Sequence, residues 1–403
     1  MKKVLYITYD GLLDPLGYSQ VQPYLRALAG KGASLWVLSF EKAERLRESE
    51  AGLVKSRLVS CGIAWHYLRY HKRPAVAATA WDIAVGFLTG LVLVLHHRIG
   101  IIHARSYIAA AIALGLCRLT GTRFLFDMRG FWPDERVEGG TWQAGGLLYR
   151  IFKRLERIFL GRADSIVVLS HRGAELLPGM IPARRTAPEI AVIPTCADLE
   201  LFQPWPGKKR EAGGLKLVYI GSLGTWYLAR EMTEFFGELY RRLPESTFTV
   251  ITPSAPAVFY SSLEGLSLPE GAAGRIRISA LPYQQVPEVL GEADCSIFFI
   301  RPVPSKQASC ATKFGESLAC GVPVVINSGI GDHDRQVESR NVGVVVGRMD
   351  GTGYGVALDR LLALLEDPQL ARRCRKAAEE EFALDSAADS YLELYRRMSA
   401  DRV

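Results

Sequence analysis

The 403-residue sequence has no CxxC pair, no metal-ligand spacing and no G-x-G-x-x-G motif. Its seven cysteines (61, 117, 196, 295, 310, 320 and 374) are scattered through mostly apolar segments. That pattern reads as reduced, buried thiols of a cytosolic protein rather than a disulfide framework. Histidines adjoin only at His96-His97, so no zinc site is expected. Without G-x-G-x-x-G after a strand, a nicotinamide dehydrogenase lacks its fingerprint. Long apolar runs are missing too. The longest, Ile83 to Leu95, has 13 residues; a membrane span needs about 20, so it reads as a core helix. The opening MKKVLYITYDG is too briefly apolar for a signal segment and reads as a first strand. No internal repeat or low-complexity tract is visible.

What is present describes an ordinary globular chain, with 49% hydrophobic and 23% charged residues. The length calls for two lobes. Strand and helix patterns alternate, which argues for parallel sheets. Strands are expected at Val4–Thr8, Leu35–Ser39, Ile101–Ala104, Arg123–Asp127, Ser165–Leu169 and Ile190–Ile193. A second series is expected at Leu215–Ile220, Thr247–Thr252, Ile276–Ser279, Cys295–Ile300, Val324–Ile326 and Val344–Val346. The Pro/Gly/Lys-rich stretch Gln203–Gly214 is the expected linker. Domains are therefore set at 1–203, joined by a last helix at 386–403, and at 204–385.

Charge is uneven. Residues 1–200 hold 26 Lys+Arg and 17 Asp+Glu, net +9, and residues 201–403 hold 23 and 25, net −2. A basic lobe suits an anionic partner. Within it, Arg150, Lys153, Arg154, Arg157 and Arg162 alternate with Ile151, Phe152, Leu155, Ile158 and Phe159, a basic amphipathic helix of the kind that can lie on anionic lipid. The plainer reading is the solvated face of a core-packed helix. No nucleic-acid motif accompanies the charge.

Ligands of open α/β sheets bind at strand C-terminal ends, so the loops there are the candidates for chemistry. Gly17, in the loop Asp10–Ser19, could let backbone approach a phosphate or sugar. Arg105 ends a strand as part of His103-x-Arg105 and could hold an acceptor or a phosphate. Asp127-Met128-Arg129-Gly130-Phe131-Trp132-Pro133-Asp134-Glu135 is a dense polar-aromatic loop suited to sugars, whose rings stack on aromatic faces and whose hydroxyls donate to carboxylates. Asp127 and Arg129 are expected to be catalytic on the acceptor side, and Trp132 and Glu135 to bind acceptor; the alternative is that Asp127 and Arg129 simply pair with each other. Gly221-Ser222-Leu223-Gly224-Thr225-Trp226, between a strand and a helix, has phosphate-loop character. Gly329-Ile330-Gly331-Asp332 follows a later strand.

Most informative is KFGESLACGVPVV, Lys313 to Val325. Residues three apart share a helix face, so Lys313 and Glu316 can address one ligand from a first turn whose dipole attracts phosphate. Lys313 would meet a diphosphate and Glu316 ribose hydroxyls. The bland alternative is a solvated ion pair on a surface helix. The run resembles the donor-site signature of glycosyltransferase family 4, with Lys313, Glu316, Ala319, Gly321, Pro323, Val324 and Val325 in matching places. PTCADLELF at 194–202 resembles a second family segment.

The resemblance implies a GT-B fold: two Rossmann-like parallel-sheet domains facing across a cleft, an N-terminal acceptor domain and a C-terminal donor-nucleotide domain, with a C-terminal helix (anchors Tyr391, Leu392, Leu394, Tyr395) crossing back to the first. It implies a retaining transferase that moves a sugar from a nucleoside-diphosphate sugar to a glycan or lipid-linked acceptor in polysaccharide or cell-envelope assembly, with no metal and no cofactor beyond the co-substrate. Where family members carry a second Glu this chain has Ala308, with Lys306 and Gln307 nearby as substitutes. Where they carry loop Arg and Lys it has Ser222 and Trp226. Donor binding is thus expected from Gly17, Ser222, Thr225, Lys306, Ser309, Thr312, Lys313 and Glu316. The expected location is cytoplasmic, at the inner face of a membrane. A sugar-nucleotide epimerase of the same architecture is the alternative.

Overall fold

The computed structural model describes residues 2–46, 50–183, 187–206 and 213–400. These divide into two compact units, Met1–Pro194 with Leu384–Val403, and Thr195–Ala383. The first ends before the 203/204 boundary because Ala197 and Phe202, both fully buried, belong to the second unit's core. Half of the expected linker, residues 207–212, lies outside the described residues.

In the first unit seven parallel strands run in the order β3-β2-β1-β4-β5-β6-β7: β1 (Val4–Thr8), β2 (Leu35–Glu41), β3 (Ala64–Arg69), β4 (Ile101–Arg105), β5 (Arg123–Asp127), β6 (Ser165–Val168) and β7 (Glu189–Val192). The second unit orders six as β10-β9-β8-β11-β12-β13, namely β8 (Lys216–Ile220), β9 (Thr247–Ile251), β10 (Ile276–Ser279), β11 (Cys295–Phe298), β12 (Val324–Asn327) and β13 (Gly343–Val346). Parallel strands covered on both faces read as continuous apolar runs, and every residue of β1 and β12 is buried. Strand order reverses between β1 and β4, and again between β8 and β11. Such switch points open a crevice at the strand C-termini.

The helix Leu384–Ser399 belongs to the first unit, packing on the helix Gln22–Gly30 and on β4. Two helices depart from expectation. Gly17 sits not in a loop but in the short helix Pro15–Gln20. A Cβ there would come within 2.2 Å of the Gly11 carbonyl oxygen, so it is the chain's own backbone that Gly17 admits. The segment around Ile83–Leu95 is a 23-residue helix, Ala75–His97, with only 33% of its most apolar window buried. It is a surface helix of the β3-to-β4 crossover rather than a core helix. Conversely, Leu147–Arg162 buries Phe159 and Leu160 while Leu147 and Ile151 stay exposed, so its C-terminal apolar residues are already taken by the core.

Candidate functional site

Two clusters of polar side chains form at the strand C-termini, one in each unit. In the first unit parallel register puts Thr8, Arg105 and Asp127 in one row across β1, β4 and β5. Alternation along β4 turns His103 to the same face as Arg105. The next chain turns are sharp, with Ser106 and Arg129 in the left-handed region at φ 70° and 59°. Non-glycine residues held there cost energy and gather at functional sites.

Asp127 is 1% exposed. Its Oδ2 accepts from the Tyr391 hydroxyl at 3.0 Å and faces His103 Nε2 at 3.4 Å. Its Oδ1 lies 3.7 Å from Arg129 Nη1 and accepts no hydrogen bond among the described residues. Burial pushes the Asp127 carboxyl up, but the Arg129 charge and the His103 hydrogen bond outweigh it and hold the group below its ordinary value. Burial keeps His103 neutral against the pull of Asp127. Its Nδ1, 2.6 Å from the Tyr395 hydroxyl, then accepts while Nε2–H faces Asp127. Arg105 donates to Asp10 at 3.1 Å. Arg105, Asp127 and Arg129 therefore do come together, and the ion-pair reading of the last two holds in part.

Trp132 and Glu135 go elsewhere. Trp132 packs among Tyr107, Trp142 and Phe152 at centroid separations of 5.0–5.7 Å, with the Arg136 guanidinium 4.8 Å from its ring. Those contacts make it a scaffold for its own short helix rather than an open sugar platform. Glu135 lies beside Gly130, where a Cβ would stand 3.3 Å from its Oε1.

In the second unit β8 is followed by Gly221, whose φ of 144° excludes other residues in practice. A Cβ there would come 2.7 Å from Lys313 Nζ, so the glycine also makes room for the lysine. Lys313, 8% exposed at the start of the helix Thr312–Ala319, holds its ammonium 3.4 Å from the Tyr227 ring centroid and 4.8 Å from that of Tyr219. Among the described residues it makes no ion pair or hydrogen bond. Burial lowers its pKa far below the usual lysine range, with Glu316 opposing. Glu316, 5% exposed, accepts from the Tyr283 hydroxyl at 2.7 Å through Oε1. Burial pushes it up to about 7 despite that bond and the Lys313 charge. The two are thus not a solvated ion pair: both are buried, and each faces different partners.

Around them, Ser222 and Thr225 are exposed in the loop after β8. Among the described residues the N–H groups of Ser222, Gly224 and Thr225 donate to no protein acceptor. Lys306 reaches over Trp226, its Nζ 3.9 Å from the ring. Ala308 is buried, and Ser309 and Thr312 flank the helix start. His333, which sequence reasoning passed over, sets that start: its Nε2 accepts from Ala311 N–H at 2.9 Å, and burial lowers its pKa to about 4. Only its place just after Gly329–Asp332 could have flagged it. Among the described residues no group of three His, Cys, Asp or Glu is placed to hold a metal.

The family model for the glycosyl transferase 4-like domain matches residues 19–196. Those residues are therefore similar to a glycosyl transferase 4-like domain. That match lies almost wholly within the first unit, whereas the Lys313–Val325 run lies in the second, so the two signs of family 4 come from different halves. No curated protein matches the sequence significantly. Among solved structures, sucrose-phosphate synthase from Thermosynechococcus elongatus aligns over 99% of each chain at 15% identity, with a TM-score of 0.74. The Anabaena protein HepE, in complex with UDP and glucose, aligns over 98% of this chain and 100% of its own at 14% identity and a TM-score of 0.67. A Listeria monocytogenes protein described as a putative UDP-N-acetylglucosamine 2-epimerase aligns over 99% and 98%, at 14% and 0.60. At these identities the likenesses establish the fold, which is GT-B.

Proposed function

We propose that this protein is a glycosyltransferase that takes a nucleoside-diphosphate sugar as donor and transfers the sugar, with retention, to a glycan or lipid-linked acceptor. One observation carries the reading. The Lys313 ammonium is desolvated in an aromatic cage, at a helix start, without a carboxylate of its own, beside a loop with free N–H groups. A diphosphate supplies the anion that such a group lacks. The free Oε2 of Glu316 would accept from ribose hydroxyls. Arg105 and Arg129 in the first unit would hold the acceptor. In the reaction the bond from sugar C1 to the diphosphate oxygen breaks, the acceptor oxygen bonds to C1 on the same face, and its proton passes to the departing phosphate. Lys313 and the loop N–H groups stabilise the charge that develops there. Metal and cofactor have no step in this scheme. The seven cysteines, scattered through the sequence without a CxxC pair, support a reducing, cytoplasmic location.

The test is to incubate the protein with a panel of labelled sugar nucleotides and follow transfer or slow hydrolysis. Release of nucleoside diphosphate from one of them supports the reading. Inversion at a sugar carbon without release would make the chain an epimerase instead.

A further inference from the structure

The outward face of the helix Ala75–His97 serves neither cluster. Ala77, Trp81, Ala84, Leu88, Val92 and Leu95 recur every three or four residues and so form one stripe. It carries no charge, and Trp81, Leu88, Val92 and Leu95 are 61–65% exposed. Isolated exposed apolar residues are ordinary; a contiguous stripe is not. The inner face is fixed to the unit. A Cβ at Gly86 or Gly90 would come 2.8 Å from Ile112 or Leu116 of the next helix. Asp82, buried on that side, accepts from the Tyr9 hydroxyl at 2.8 Å and contacts His71 Nδ1 at 2.6 Å. As a crossover between two strands of one sheet, the helix cannot leave to span a bilayer, and its outer stripe stays bare.

Beside it the helices Ser106–Thr120 and Leu147–Arg162 pack in the same layer. Leu119 is 64% exposed there. A groove of about 410 Å³ is lined by Arg118, Arg154, Arg157 and Arg162, none of which has an ion pair among the described residues. From residue 51 to 126 the sequence holds nine basic residues and one acidic, Asp82, which is engaged inside. An apolar stripe bordered by bare guanidiniums fits one kind of partner. We propose that this layer docks the protein on an anionic phospholipid bilayer, with the stripe at the acyl boundary and the arginines on headgroup phosphates. A second copy fits worse: a two-fold interface sets each patch against itself, and the unneutralised arginines would meet.

The docking surface goes beyond the transferase reading, sharing with it only the idea of a lipid-linked acceptor. The experiment uses the whole chain without sugar nucleotide, sedimented with phosphatidylcholine vesicles that contain or lack phosphatidylglycerol. Binding to the anionic vesicles is expected to fall with salt, and by about fivefold for each of Arg118, Arg154 and Arg157 changed to Gln. Leu88→Asp with Val92→Asp should abolish it while leaving far-UV circular dichroism and nucleoside-diphosphate affinity unchanged. A blue shift of tryptophan emission on anionic vesicles, lost in Trp81→Phe, would support the stripe's insertion. No sedimentation with anionic vesicles, binding indifferent to either set of changes, or a dimer that Leu88→Asp with Val92→Asp splits would each overturn the proposal. Calorimetry with nucleoside diphosphates is read separately, so failure of the transferase reading cannot be mistaken for failure of this one.

Discussion

Lys313→Met separates a ligand-binding lysine from a packing lysine, because the two predict opposite signs. Methionine has nearly the lysine's length and keeps the cage of Tyr219, Tyr227 and Phe298 filled. Desolvating an ammonium costs several kcal/mol, while desolvated cation–π contacts return about 2 kcal/mol. No carboxylate supplies the difference in the empty protein. The variant should therefore be more stable by about 1–3 kcal/mol, with about 2–4 °C in melting temperature for each kcal/mol. The folded pKa of Lys313 lies below the ordinary 10.5. The folded state therefore releases its proton first as pH rises, and stability climbs between the two values. The advantage of the variant is thus full below the folded pKa of Lys313 and shrinks as pH rises from there toward 10.5. Binding moves the other way: loss of a charged donor worth about 1.5–3 kcal/mol weakens a nucleoside diphosphate about 10- to 150-fold, and turnover falls about 10²- to 10³-fold. Urea melts at neutral and alkaline pH, with calorimetry against UDP, GDP and ADP, measure both. A folded variant less stable than the parent, or one that binds the same nucleotide as tightly, refutes the reasoning.

Glu316→Gln should weaken the same nucleotide about tenfold or more. With the carboxyl pushed up to about 7, parental affinity should rise as pH passes upward through that value, and the variant's should not; parallel profiles would count against a ribose role. Arg129→Gly, which keeps the left-handed backbone, should leave nucleotide affinity unchanged and abolish transfer to acceptor, so retained transfer in a product assay would remove Arg129 from the acceptor site. The His333 pKa is about 4 in the fold against 6.5 ordinarily. Its contribution is therefore present above about 6.5 and lost as pH falls toward about 4, on the order of 3 kcal/mol in all. Urea midpoints across that range should drop for the parent and stay level for His333→Gln.

The strand–helix alternation was legible because parallel strands buried on both faces are apolar along their centres: Val4–Thr8 and Arg123–Asp127 fall where their patterns put them, and the edge strand Ile276–Ser279 shows instead through its apolar–polar alternation. The Lys313–Glu316 pair was legible because helix spacing is local. What escaped depends on partners remote in sequence. The hydroxyls of Tyr391 and Tyr395 reach Asp127 and His103 across more than 260 positions, and no local pattern announces that. Trp132 looked like a sugar platform until Trp142 and Phe152 closed around it. The helix Ala75–His97 looked like core because apolar composition does not tell a face that meets protein from one that meets nothing.

The helix Leu384–Ser399 has a consequence for synthesis. A ribosome delivers Met1–Pro194 first, yet the hydroxyls that partner Asp127 and His103 arrive only after all of Thr195–Ala383 has been made. The second unit is contiguous and can close as soon as it emerges. The first must wait with a buried-type carboxylate and imidazole still open to water, its sheet built but its polar row unlatched. A nascent chain stalled before residue 391 would therefore hold a finished second unit and an unfinished first, and protease cleavage of such a chain should fall in the earlier-made half.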